Sequence, residues 1–128
     1  MNCTVISIFF GKRRSFPTNV KESISVLDSY IPYLQKLDSG TKSDLILVNH
    51  NCYKDDDPNQ ESLKYLSKIN NLKTVNGKIR TITRPWEEGV GGSFKSFDYA
   101  FKHFKNDYNY WFFAEDDVKI TESNYLLN

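Results

Sequence analysis

Two hydrophobic periods alternate along this chain, and that alternation limits it to a narrow set of folds. Four short runs rich in β-branched and aromatic residues occupy residues 4–10, 44–49, 79–84 and 108–114. Between them lie three stretches in which apolar residues recur at steps of three and four. Val20, Ile24, Leu27, Ile31 and Leu34 share one helical face in the first, and Leu63, Leu66, Ile69 and Leu72 in the second. Phe94, Phe97, Phe101 and Phe104 do so in the third, and this stripe reads as core. Runs that stay apolar without alternating suit strands covered on both faces. The order βαβαβαβ, with connections long enough for crossovers, predicts an α/β fold. Its sheet is mostly parallel, with helices on both faces and right-handed connections. The fourth run reads as a hydrophobic central strand.

Local signals set the expected boundaries. Gly11 ends the first run, and Asn19 with Glu22 resembles a capping box. Pro32 is expected to kink or end the first helix. Asp57-Pro58-Asn59-Gln60 reads as a helix cap with proline in the first turn, and Asn76-Gly77 as a turn. A chain of 128 residues suits one domain, spanning 1–128, with a single core. Its aromatic share of 15% speaks against disorder.

Charge and cysteine usage exclude several function classes. A net charge of +1 argues against a general nucleic-acid binder, which needs a basic excess to neutralise phosphates. Lys12-Arg13-Arg14 is a local basic cluster that reads either as a solvated loop or as a phosphate contact. Cys3 and Cys52 lack metal-ligand spacing. In parallel strands they would lie roughly 17–20 Å apart, beyond disulfide reach. Reduced thiols suit a cytoplasmic protein. The apolar run from Val5 to Phe10 is too short to span a membrane, so no transmembrane segment is expected.

Ligand sites in open α/β sheets gather at the carboxyl ends of the strands. The polar clusters of this chain fall at those positions: Gly11-Lys12-Arg13, Asn49-His50-Asn51, Glu87-Glu88-Gly89 and Glu115-Asp116-Asp117. Three adjacent carboxylates repel one another unless a cation joins them, and a hard divalent ion accepts carboxylate oxygens while bridging phosphates. Strand alternation directs Glu115 and Asp117 to one side and Asp116 to the other. The alternative is a solvated acidic turn. His50 is either a base contact or a solvated loop histidine, and His103 falls on the charged side of the third helix. Trp86 is expected to pack over the sheet edge. Asp55-Asp56-Asp57 reads as a solvated loop and helix cap.

The stretch Tyr110-Trp111-Phe112-Phe113-Ala114-Glu115-Asp116-Asp117-Val118 resembles the acidic signature that closes the fourth strand of GT-A glycosyltransferases. The upstream segment from Glu88 through Gly91, Gly92 and Ser93 to Ala100 is similar to the glycine-containing loop and helix of family-2 enzymes. Where that family carries Pro-x-x-Asn after its first strand, this chain has Phe9-Phe10-Gly11-Lys12. The resemblance implies a Rossmann-like nucleotide-sugar-binding domain that uses Mn or Mg. Asp117 would hold the metal, with Glu115 at the metal or the ribose and Asp116 near the sugar. Gly11, Asn49 and His50 would lie near the base, and Arg13 would reach a phosphate. Gly91, Gly92 and Ser93 would bring backbone close to the nucleotide at a helix N-terminus, which favours anions.

The implied activity is sugar transfer from a nucleotide-diphosphate donor to a saccharide or lipid-linked acceptor, with the metal stabilising the leaving group. In the family, the acceptor half and the general base come later in the chain. The 128 residues are therefore expected to be the nucleotide-binding half, truncated before the acceptor part and inactive in transfer by themselves. An uncovered sheet surface would leave self-association open. Two alternatives remain: a metal-dependent nucleotidyltransferase, and a non-catalytic, degenerate nucleotide-binding fragment.

Overall fold

The structure is a computed structural model that describes residues 1–10, 19–51, 56–86, 92–115 and 126. Its elements are β1 (Asn2–Ile8), α1 (Val20–Lys36), β2 (Ser43–Asn49), α2 (Asp56–Ile69), β3 (Ile79–Thr83), α3 (Gly92–Phe104) and β4 (Tyr110–Glu115). All neighbouring strands are parallel, and the sheet order is β3-β2-β1-β4. The expected α/β architecture is therefore the one observed.

The two interior strands explain the unbroken apolar runs. Every residue of β2 is buried, as is all of β1 after Asn2. Ile6, Ile8, Leu45 and Leu47 face α1 and α2, where they meet Leu27, Ile31, Leu34, Leu66 and Ile69. Cys3, Val5, Ile46 and Val48 face α3, where they meet Ala100 and Phe104. Alternate residues of one strand thus enter two separate cores, as strand pleating requires.

The fourth strand departs from expectation. Among the described residues β4 is an edge strand, paired with β1 alone, and not a central one. Its hydrophobicity is half used: Ala114 is buried, whereas Tyr110, Phe112 and Phe113 are exposed. The phenylalanine stripe of α3 shares that fate. Phe104 is buried and Phe97 partly so, but Phe94 is 85% and Phe101 44% exposed. The reason is lateral: one side of this helix packs against the edge strand. Phe97 lies 4.9 Å from Phe113 and Phe101 5.1 Å from Trp111, centroid to centroid. His103 is exposed, as its place on the helix predicts.

Two helices also differ in detail. Asn19 caps α1 as expected, its side-chain oxygen accepting from the Glu22 N–H at 2.9 Å. Pro32 does not end the helix, which runs on to Lys36. Pro32 and Asp28 are both exposed, so the carbonyl that loses its helical partner has water in its place. In α2 the buried face is Ser62, Tyr65, Leu66 and Ile69, while Leu63 is exposed. On that face Tyr65 reaches α1, where its hydroxyl donates to Asp28 at 3.0 Å. Asp57 lies inside α2 rather than at its cap. No helix among the described residues is long and apolar enough to cross a membrane.

At the amino ends of the strands sits a buried carboxylate. Asp44 accepts from the Tyr108 hydroxyl at 2.6 Å and from the Lys78 N–H at 3.0 Å. Burial, reinforced by Asp44, pushes the Cys3 thiol up to about 12. The thiol is free, and Cys52 lies outside the described residues. Gly77 is needed there for room: a Cβ would collide with the Ser43 carbonyl and lie 2.5 Å from the Asp44 carboxylate. Gly77→Ala should therefore cost about 1–3 kcal/mol, read as a lower urea midpoint with an unchanged slope.

Candidate functional site

The parallel register brings the carboxyl ends of the strands level. Ile8 pairs with Asn49, Asn49 with Thr83, and Ser7 with Glu115. From β1 the chain steps outward to β2 and β3, and then α3 returns it to the opposite side of β1. The order reverses at β1, so the crevice between the ends of β1 and β4 is the topological switch point, where ligands of such sheets bind. Glu115 is the last residue of β4, exposed, and by pleating it shares the α3 side with Trp111 and Phe113.

The turn after β2 is built from its own amides. His50 N–H donates to the Ile8 carbonyl at 2.9 Å, continuing the ladder one residue past the strand. Asn51 then takes a left-handed conformation with φ 59, which asparagine tolerates better than most residues. Its N–H donates to the Asn49 side-chain oxygen at 2.9 Å, an Asx-turn. Its amide nitrogen donates to the Arg84 carbonyl at 2.9 Å, and Arg84 N–H donates to the Asn49 carbonyl at 3.2 Å. The ends of β1, β2 and β3 are thereby stapled together. Asn49 is fully buried and its amide also meets Thr83 at 3.4 Å, so this side chain shapes the turn and has no surface to offer a ligand. Among the described residues the buried side-chain oxygen of Asn51 has no hydrogen-bond partner.

A polar cluster lies where this turn meets α3. His50 Nδ1 is 3.2 Å from Ser96 Oγ, and the imidazole packs 5.4 Å from the Phe9 ring, tilted by 44°. Arg84 Nη1 donates to the same Ser96 oxygen at 3.4 Å. Arg84 is only 5% exposed and Ser96 fully buried, an unusual depth for a guanidinium. Because the guanidinium can only donate, the Ser96 proton is free to point at Nδ1, which favours the tautomer with its proton on Nε2. Burial first, and the Arg84 charge second, hold the His50 pKa below its ordinary value. The imidazole is therefore neutral at pH 7.

The residues singled out by sequence divide unevenly. Asn49, His50 and Glu115 lie at the carboxyl ends, while Gly92 and Ser93 open α3. Gly11, Arg13, Gly91, Asp116 and Asp117 lie outside the described residues. Glu115 is thus the one described member of the acidic triplet. Among the described residues no three His, Cys, Asp or Glu side chains cluster as a metal site. The residues that sequence reasoning missed are Arg84 and Ser96. Arg84 carried a readable signal, a cation closing a β-branched run. Ser96 carried none, since small polar residues on a helix are commonplace.

A parallel sheet of order β3-β2-β1-β4 with helices on both faces defines a Rossmann-like α/β protein. Comparison of the chain with known protein families, with curated proteins and with solved structures finds no match.

The His50 environment has a consequence in pH. Between its lowered value and the ordinary 6.5, the unfolded chain binds more protons at this residue than the folded one. The stability tied to neutral His50 is complete above about 6.5 and declines as pH falls through that window. Melting temperatures across pH for the wild type and His50→Gln should converge at acidic pH. A constant gap between the two curves would contradict the assignment.

Proposed function

We propose that this chain binds a nucleoside-diphosphate sugar in the β1/β4 crevice and serves sugar transfer to a saccharide or lipid-linked acceptor, as GT-A glycosyltransferases do. The observation that carries the reading is the position of Glu115. Glu115 ends β4 beside the switch point, level with Ser7 of β1.

The donor chemistry agrees with the reading. Glu115, Asp116 and Asp117 offer only carboxylate oxygens, the ligand type of a hard cation such as Mn or Mg. Glu115 and Asp117 are the pair assigned to the metal, with Asp116 toward the sugar. Such an ion, when bound, supplies charge neutralisation to the departing diphosphate. The protein's own contribution is a rigid floor. Arg84, buried at the end of β3, ties this rim to Ser96 of α3. His50 and Phe9 present a packed ring pair at the same rim. The start of α3, with Gly92 and Ser93, adds first-turn backbone N–H groups that have no partner within the helix and favour phosphate. A cytoplasmic location belongs to the same proposal, supported by the free thiol of Cys3.

Calorimetric titration with UDP and with GDP, each with and without Mn, tests the reading. Metal-dependent binding is expected, weakened about tenfold or more by Glu115→Gln and by Asp117→Asn. Absence of binding by the wild type would favour a degenerate fragment. Binding that ignores both the metal and the substitutions would move the site away from the triplet.

A further inference from the structure

The opposite end of the sheet carries a second recess that the proposed function does not use. It has a volume of about 570 Å³ and opens at the amino ends of the strands. That size suits a metabolite-scale ligand. Lys42, Lys73, Lys78 and Arg80 line it together with Asp44 and Tyr108.

The charges of this recess do not cancel. Arg80 is paired with Asp107 at 3.3 Å and stacks over the Phe104 ring at 4.3 Å. Both oxygens of Asp44 are engaged, one by the Tyr108 hydroxyl and one by the Lys78 backbone. The ammonium groups of Lys42, Lys73 and Lys78 make no ion pair among the described residues. The donors on Asp44 are neutral and leave its charge in place, so the lining sets Lys42, Lys73, Lys78, Arg80 and the Met1 ammonium against Asp44 and Asp107, an excess of cations.

A separate observation points the same way. Lys73 and Lys78 are direct partners in an antiparallel bridge that closes over the Val75-Asn76-Gly77 turn. Side chains directly opposite in such a bridge lie roughly 4.5–5.5 Å apart at Cβ, where like charges destabilise the pairing. The turn is nonetheless held firmly. Gln35 Nε2 donates to the Lys73 carbonyl at 3.0 Å, and Thr74 and Gly77 exchange two hydrogen bonds. The backbone thus sets the stems of two exposed lysines directly opposite each other at the mouth of a cationic recess. An anion between them converts the repulsion into two attractions.

We propose that this recess is a binding site for a small dianion of the phosphate class, a phosphomonoester or pyrophosphate group. Lys73 and Lys78 clamp the anion from the turn, and Lys42 approaches it from the start of β2. The site is independent of the β1/β4 crevice, so either can fail without the other.

The test is titration of the intact 15N-labelled chain with inorganic phosphate, then with pyrophosphate, at constant ionic strength set by chloride. Saturable amide shifts are expected at Thr74, Gly77 and Lys78, with pyrophosphate the tighter ligand. A Lys73→Gln/Lys78→Gln double variant should bind roughly tenfold more weakly or worse. Without added anion, that variant should melt above the wild type, because the like-charge pair is gone. Shifts confined to the carboxyl-end crevice, an unchanged affinity in the double variant, or no rise in its anion-free melting temperature would each overturn the proposal.

Discussion

Parallel hydrogen bonding between β1 and β2, sealed on both faces, is the constraint on which the rest of the molecule depends. A parallel pair cannot be closed by a tight turn, so each strand must be followed by a crossover long enough to return the chain to the same end. Here the crossovers are helices, and they bury the two faces that β1 and β2 present. The same geometry sends every strand out at one end. The turn after β2, the turn after β3, the start of α3 and the exit of β4 therefore meet, although they are far apart in sequence. The polar cluster at that end follows from the topology, and only its residue types were left to vary.

What could be read from residues alone followed from period and burial. The apolar stripe of α1 was legible because Leu27, Ile31 and Leu34 really do meet the sheet, with Ile24 packed against the same core. In α2 Leu66, Ile69 and Leu72 reach the core as their spacing implies, and only Leu63 gives way, to Ser62 and a Tyr65 that reaches Asp28. The aromatic run of β4 misled for a physical reason. Hydrophobicity reports a preference for leaving water and says nothing of whether neighbours are available on both sides. An edge strand and a central strand can therefore look alike in sequence. The position of the candidate site was legible for another reason: polar residues that break apolar runs mark strand ends, and strand ends are where parallel sheets expose functional groups.

The side-chain chemistry of that end was less legible, because it depends on contacts between distant segments. His50 follows β2 while Arg84 and Ser96 belong to the connection from β3 to β4, and the three meet only in the folded state. Nothing in the residues around His50 foretells a guanidinium close enough to disfavour its protonation. Asn49 shows the converse. It looked like a group aimed at a ligand, yet its side chain organises the turn from beneath. Polar residues at such ends thus serve two purposes, and burial separates those that hold the rim from those that face outward.

Cys3 offers a practical handle. Its sulfur lies in the first of the two sealed strands, fully shielded, with its proton held far more tightly than in a free thiol. A thiol-directed reagent needs both access and the thiolate, and the native sheet withholds both. Covalent labelling at this position would therefore proceed only through openings that part β1 from α3. The rate of modification, followed by peptide mass, would measure how often the centre of the sheet breathes.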